Sequence, residues 1–180
     1  MYPRMPDFIK QVSAATVSAY SLFNWLCTTR NIHNAIEVGV YHGATTWMLL
    51  QCLEKPCHLV SVDRSQEYLD YAEINSIPAA FDGKWIPVHA DSGKIDYTKY
   101  IKDVDLGWID GKHTYKQVLA DYRAMKPVLS QDAVLVFHDH RGGKYQGVRN
   151  AVTEIAKDGW VTWSLSSKIE RNEYAVARRI

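Results

Sequence analysis

Apolar positions recur along the chain in two alternating rhythms. Residues 8–29 (FIKQVSAATVSAYSLFNWLCTT) carry them at helical spacing with no Gly or Pro to interrupt. Short apolar runs at 34–38 (NAIEV), 57–62 (CHLVSV), 84–89 (KWIPVH), 104–109 (VDLGWI) and 133–137 (AVLVF) read as strands. Between them, 44–53, 66–75, 114–126 and 147–157 read as helices. Ser65 is placed to cap the second of these, and Pro127 and Gly159 stop the last two. Pro87 has no N–H to donate to a ladder, so 84–89 belongs at a sheet edge. Residues 160–165 and 173–178 are two final strands with no helix between them, which pair antiparallel as a hairpin at one edge. The alternation predicts an α/β, Rossmann-like fold: a seven-stranded, mostly parallel sheet with an antiparallel final strand and helices on both faces. The absence of repeats and of Pro/Gly/Ser linkers predicts one domain over 1–180, with 1–30 as an N-terminal helical segment.

Composition narrows the partners. Twenty-one basic and 20 acidic residues leave a net charge of +1, which argues against nucleic acid or an acidic membrane held mainly by charge. No apolar run approaches the ~18–20 residues of a membrane span. The first residues, MYPRMPDFIKQVS, lack the apolar stretch and cleavage site of a secretory signal. Cys27, Cys52 and Cys57 are odd in number and lack CxxC spacing, so free thiols in a reducing cytoplasm are expected. Tyr20, Phe23 and Trp25 on the first helix serve equally as core or as the face of a homodimer.

Ligands of such sheets sit beyond the carboxyl ends of the strands, at the switch in strand order. The strand ends carry Glu37, Asp63, Asp91, Asp110 and Asp139, five acids from five strands expected on one rim. The turn Glu37-x-Gly39-x-x-x-Gly43 leads from strand to helix, and its glycines suggest close approach of a ligand to backbone. Val40, Tyr41 and His42 are bulky for a pyrophosphate cradle, and Glu37 would repel phosphate and favour a cationic group. Asp63, about twenty residues on, suits the two hydroxyls of a ribose. A ribose beside a positive centre points to S-adenosylmethionine.

The stretches EVGVYHGATT (37–46), VSVDRS (60–65), HADS (89–92), WIDGKHTYKQVLADYRAMKPVLS (108–130) and VLVFHDH (134–140) resemble a class I S-adenosylmethionine-dependent methyltransferase. More narrowly, they resemble the small O-methyltransferase branch with IDG-x-H-x-Y and a late HD. The resemblance implies that Glu37, Gly39 and Gly43 line the methionine end of the cofactor. Asp63 would take the ribose, Asp91 and Ser92 the adenine, and Asp110 would lie near the sulfonium. Tyr41 and Arg64 count with the cofactor residues. It also implies a divalent cation held by Asp110 and Asp139 with His140 or His138 as third ligand: the two oxygens suit Mg²⁺, and an imidazole shifts preference towards Mn²⁺, Fe²⁺, Zn²⁺ or Ni²⁺. Without a metal, the two acids would organise the loop by hydrogen bonds.

A hydroxyl acceptor needs its proton removed, and the candidate catalytic residues are Asp110, His113 and His138. His113 serves equally as a helix-capping residue. Lys112 stands where many relatives carry Asp, and either faces solvent or meets an anion. The loop RGGKYQG (141–147) is either a plain connection or a lid that brings Arg141 or Lys144 to an anionic substrate. The expected partner is a small hydroxylated molecule such as a sugar unit. Methyl transfer to nitrogen or to a protein side chain, a nucleotide-binding oxidoreductase and a non-catalytic module remain as alternatives.

Overall fold

The computed structural model describes residues 16–77, 82–167 and 172–179. The elements run α1 (Thr16–Arg30), β1 (Asn34–Val38), α2 (Ala44–Cys52), β2 (Cys57–Asp63), α3 (Gln66–Ser76), β3 (Gly83–His89), β4 (Val104–Ile109), α4 (Tyr115–Met125), β5 (Leu129–Phe137), α5 (Gln146–Ala156), β6 (Trp160–Ser167) and β7 (Asn172–Arg179). The start of the helix expected from residue 8 lies outside the described residues. Ser65 caps α3 as expected, accepting from the Tyr68 amide.

The seven strands form one sheet in the order β3-β2-β1-β4-β5-β7-β6. β1 to β5 are parallel, and β7 runs antiparallel to both β5 and β6. The expected sheet is therefore present, with β3 and its Pro87 at one edge. The final hairpin is inserted in reverse, so that β7 rather than β6 pairs with β5.

Strand alternation divides the core between the two faces. Ile36 and Val38 point to the face covered by α4 and α5, where Val118, Tyr122, Val148 and Ile155 are buried. Ala35, Leu59, Leu106 and Val136 pack on the other face against Phe23 and Leu26 of α1 and Met48 and Leu49 of α2. Phe23 is fully buried and Tyr20 nearly so, which places them in the core, whereas Trp25 is 56% exposed. Trp25 borders an apolar hollow completed by Trp163, Leu165 and Val176. Cys27 and Cys57 are buried, Cys52 is half-buried, and all three are free. Burial pushes the Cys27 and Cys52 thiols up to about 12, so they are inert as nucleophiles. No helix among the described residues is long and apolar enough to cross a membrane.

Candidate active site

The strand order reverses between β1 and β4, and the ladder there runs on into the loops. Gly39 N–H donates to the Val62 carbonyl, Asp110 N–H to Val38, and His138 N–H to Ile109, at 2.9, 2.9 and 3.1 Å. These bonds fix Gly39, Asp110 and His138 side by side at the carboxyl rim. A cleft of about 350 Å³ opens above them, lined by Gly39, Tyr41, Asp63, Ser92, Asp110 and His138 among others. Its size and its place at the switch point suit a small ligand.

The glycines of the turn serve the chain itself. Gly39 has φ +88°, and a Cβ there would overlap the Asp110 carbonyl oxygen and lie 2.8 Å from its carbon. Gly43 has φ +76°, and a Cβ would overlap the Ser76 hydroxyl, which donates to the Gly43 carbonyl. The turn thus has close approaches of the chain to itself, between β1 and β4 and between the turn and α3, and Gly39 also lines the cleft.

Glu37 lies beneath the turn and is fully buried, away from the residues lining the cleft. It sits on the α1/α2 face of β1, where its Oε2 accepts from Thr46 and Ser61 at 2.7 and 2.6 Å. Burial pushes its carboxyl up to about 8, against the pull of those two hydroxyls. An unfolded glutamate titrates near 4.5, so between these values the folded protein holds a proton that the unfolded chain has released. The Glu37 contribution to stability therefore falls as pH rises through this window, and levels off above it. Glu37→Gln is expected to remove that slope, so its melting temperature gains on the wild type as pH rises from about 4.5 to about 8. Parallel melting profiles across the window would show that Glu37 does not titrate there.

The remaining rim acids separate into two groups joined by the turn. Asp63 spans the join: Oδ2 accepts from the Val40 and Tyr41 amides and Oδ1 from Ser65. On one side, Arg64 contacts Asp91 at 2.9 Å and holds its carboxyl at about 2. Gln117 reaches both Asp91 and Asp121, and the buried Ser92 donates to Asp121 at 2.7 Å. Asp91 turns to Arg64 and Lys94, while its neighbour Ser92 lines the cleft.

On the other side, one oxygen of Asp110 meets two imidazoles. His113 Nε2 and His138 Nδ1 each lie 3.0 Å from Oδ1, and the Asp110 side chain is 25% exposed. Burial alone would raise this carboxyl, but the two histidines outweigh it and hold it below the usual range. Burial likewise pulls His138 down, but Asp110 prevails and raises it. The His138 side chain is 13% exposed and packs against Trp108, Tyr174 and His113. Its Nε2 has no hydrogen-bond partner. Asp139, with φ +56°, is buried and pairs with Arg141 at 3.1 Å, and its Oδ2 stands 3.6 Å from both histidine nitrogens.

His140 does not join this group. Its Nδ1 meets Ser164 of β6, and the three donors that gather are Asp110, His113 and His138. Lys112 is exposed at the cleft mouth. In the 141–147 loop, Arg141 and Lys144 lie over the Tyr145 ring, whose edge meets His113. Sequence reasoning passed over Gln117, Asp121, Thr46, Ser61 and Tyr174. Asp121 left a signal, an acid on the buried stripe of α4 beside Val118, Leu119 and Tyr122.

A parallel sheet with a reversed terminal hairpin and a cleft at the β1/β4 switch defines the class I methyltransferase fold. A family model described as a methyltransferase domain matches residues 36–140, more than half of the chain, and the chain belongs to that family. The O-methyltransferase of Bacillus cereus, solved with S-adenosylhomocysteine, superposes over 100% of this chain and 92% of its own with a TM-score of 0.77 at 15% identity. TomG of Streptomyces achromogenes, an O-methyltransferase of tomaymycin synthesis solved with S-adenosylmethionine, covers 99% and 91% with a TM-score of 0.72 at 15% identity. A Clostridium thermocellum protein assigned as an rRNA methylase covers 89% and 96% with a TM-score of 0.65 at 11% identity. Comparison with curated proteins returns no match.

Proposed function

We propose that this S-adenosylmethionine-dependent methyltransferase methylates a hydroxyl oxygen of a small molecule, with His138 as the proton acceptor. The observation that carries the reading is the Asp110–His138 pair on the cleft floor, with Nε2 of the imidazole unpartnered. Bound S-adenosylmethionine supplies a methyl group already activated on sulfur. The protein's part is to place an acceptor in line with it and to take the acceptor's proton.

Gly39 and Asp110 sit at the methionine end of the cleft, Asp63 and Tyr41 beside the ribose, and Ser92 at the adenine end. Asp63 Oδ1 still has acceptor capacity after its bond from Ser65, whereas Oδ2 is filled by the Val40 and Tyr41 amides. Arg64 also lines the cleft, and Glu37, Gly43 and Asp91 support the lining from outside it. Asp110 favours a proton on His138 Nδ1, which leaves Nε2 as the basic atom. Because Asp110 also raises the His138 pKa, turnover rises with pH through a midpoint above the ordinary histidine value of 6.5.

Asp110, His113 and His138 also fit a divalent cation in number and closeness. Such an ion, when bound, lowers the pKa of an acceptor hydroxyl. A cleft of about 350 Å³ and a near-neutral net charge favour a small hydroxylated acceptor, such as a sugar unit, over nucleic acid. Three free thiols suit a reducing cytoplasm.

Calorimetric titration tests the cofactor directly. S-adenosylhomocysteine is expected to bind with micromolar affinity, and NADH not at all. Binding of NADH, or of neither, would overturn the reading.

A further inference from the structure

We infer that the Asp110–His113–His138 centre selects a borderline first-row transition cation over Mg²⁺. The inference rests on the methyltransferase reading only in placing the ion beside the acceptor; an ion on His138 Nδ1 would displace the proton assigned there, so the ring is a ligand with the ion and the base without it. Three elements converge to build the centre. Asp110 follows β4, His113 precedes α4, and His138 follows β5. Their donor atoms all lie within 4.8 Å of one another. The Asp110 Oδ1 to His113 Nε2 and Asp110 Oδ1 to His138 Nδ1 distances are both 3.0 Å. Ligands about 2.1 Å from one ion stand about 3.0–3.4 Å apart in octahedral cis or tetrahedral arrangements. The two spacings from Asp110 are therefore already those of a coordination shell, and the third lies within 4.8 Å.

His113 Nε2 and Asp110 Oδ1 are hydrogen-bonded to each other, whereas His138 is left unsatisfied. Neither His138 nitrogen makes a hydrogen bond of acceptable geometry, although the ring is largely buried. Asp139 Oδ2, 3.6 Å from both imidazole nitrogens, offers a further oxygen at the rim, while Arg141 holds its other oxygen.

The donor set decides the metal. Mg²⁺ takes an all-oxygen shell and keeps its waters, so two imidazoles among three close donors suit it poorly. Imidazole favours Zn²⁺, Co²⁺, Ni²⁺ or Fe²⁺. Of the divalent ions that the sequence resemblance allowed, this donor set favours the borderline ones over Mg²⁺.

The test uses the full-length protein, stripped with chelator and titrated with Co²⁺. Visible absorption reports coordination and calorimetry reports affinity. One Co²⁺ per chain is expected, displaced by equimolar Zn²⁺ and not by a large excess of Mg²⁺. His113→Ala and His138→Ala should each weaken Co²⁺ binding at least about 100-fold. His140→Ala should leave it unchanged, because that ring lies on Ser164. If an alanine variant melts early, His138→Gln repeats the test with size and polarity kept. Displacement by Mg²⁺ at comparable concentration, unchanged Co²⁺ affinity in the His138 variants, or an equal loss in His140→Ala would overturn the inference. So would no Co²⁺ binding by the wild type. S-adenosylhomocysteine titration of the same samples separates the two readings, since its retention without cation binding sinks the metal site alone.

Discussion

His138→Ala is expected to lower kcat by about 10²–10⁴-fold while leaving S-adenosylhomocysteine affinity close to that of the wild type. The assay is S-adenosylmethionine turnover on whichever acceptor of a hydroxylated panel gives product, with chelator present. The size of the loss follows from general base catalysis, because the sulfonium methyl needs no further activation and the acceptor hydroxyl does. A merely structural histidine would lower both quantities together with the melting temperature. The pH profile provides a second readout. The wild-type rise above the ordinary histidine range comes from the Asp110 carboxylate at 3.0 Å, and should vanish in the variant. Unchanged kcat, or a profile unaltered in shape, would remove His138 from the reaction.

Gly39→Ala should have the largest effect on stability. The residue has φ +88°, where an L side chain costs about 1–2 kcal/mol. Its Cβ would also meet backbone atoms of Asp110, which cannot swing aside as a side chain can. Overpacking of that kind costs about 1–3 kcal/mol. Together they amount to roughly 2–5 kcal/mol, or about 5–15 °C in melting temperature for a chain of this size. Relief by parting β1 from β4 would displace Asp110, so S-adenosylhomocysteine binding should fall as well. A variant that melts and binds like the wild type would show that the turn relaxes at no cost.

The sheet was legible because its strands are buried on both faces and read as dense apolar runs, with AVLVF at 133–137 the clearest. The first four residues of β5, Leu129 to Asp132, were missed because they are half-buried or exposed and follow no alternation. The cleft was legible because strand ends in a parallel sheet must share a rim. Which side each rim residue faces was not. Glu37 reads as a turn residue, yet the period-2 alternation of β1 sends it under α2, where only the register reveals Thr46 and Ser61 as partners. At the HDH triplet, the left-handed turn at Asp139 leaves His138 in the cluster and carries His140 across to β6. A single backbone angle decides this, and nothing in the order His-Asp-His encodes it.

β7 closes the site from well beyond β5 in the sequence. Its Tyr174 packs on His138 and Trp108, and its hydroxyl lies 2.9 Å from Ser18 of α1, 156 positions earlier. A ribosome delivers the residues of the Asp110 centre before this strand. Until β7 leaves the exit tunnel, β5 has an open edge and the wall behind His138 is missing. Assembly of the centre therefore waits for β7, and a nascent chain that has not yet released this strand carries no competent site. Truncation before Tyr174 should leave most of the sheet's sequence in place and yield no enzyme.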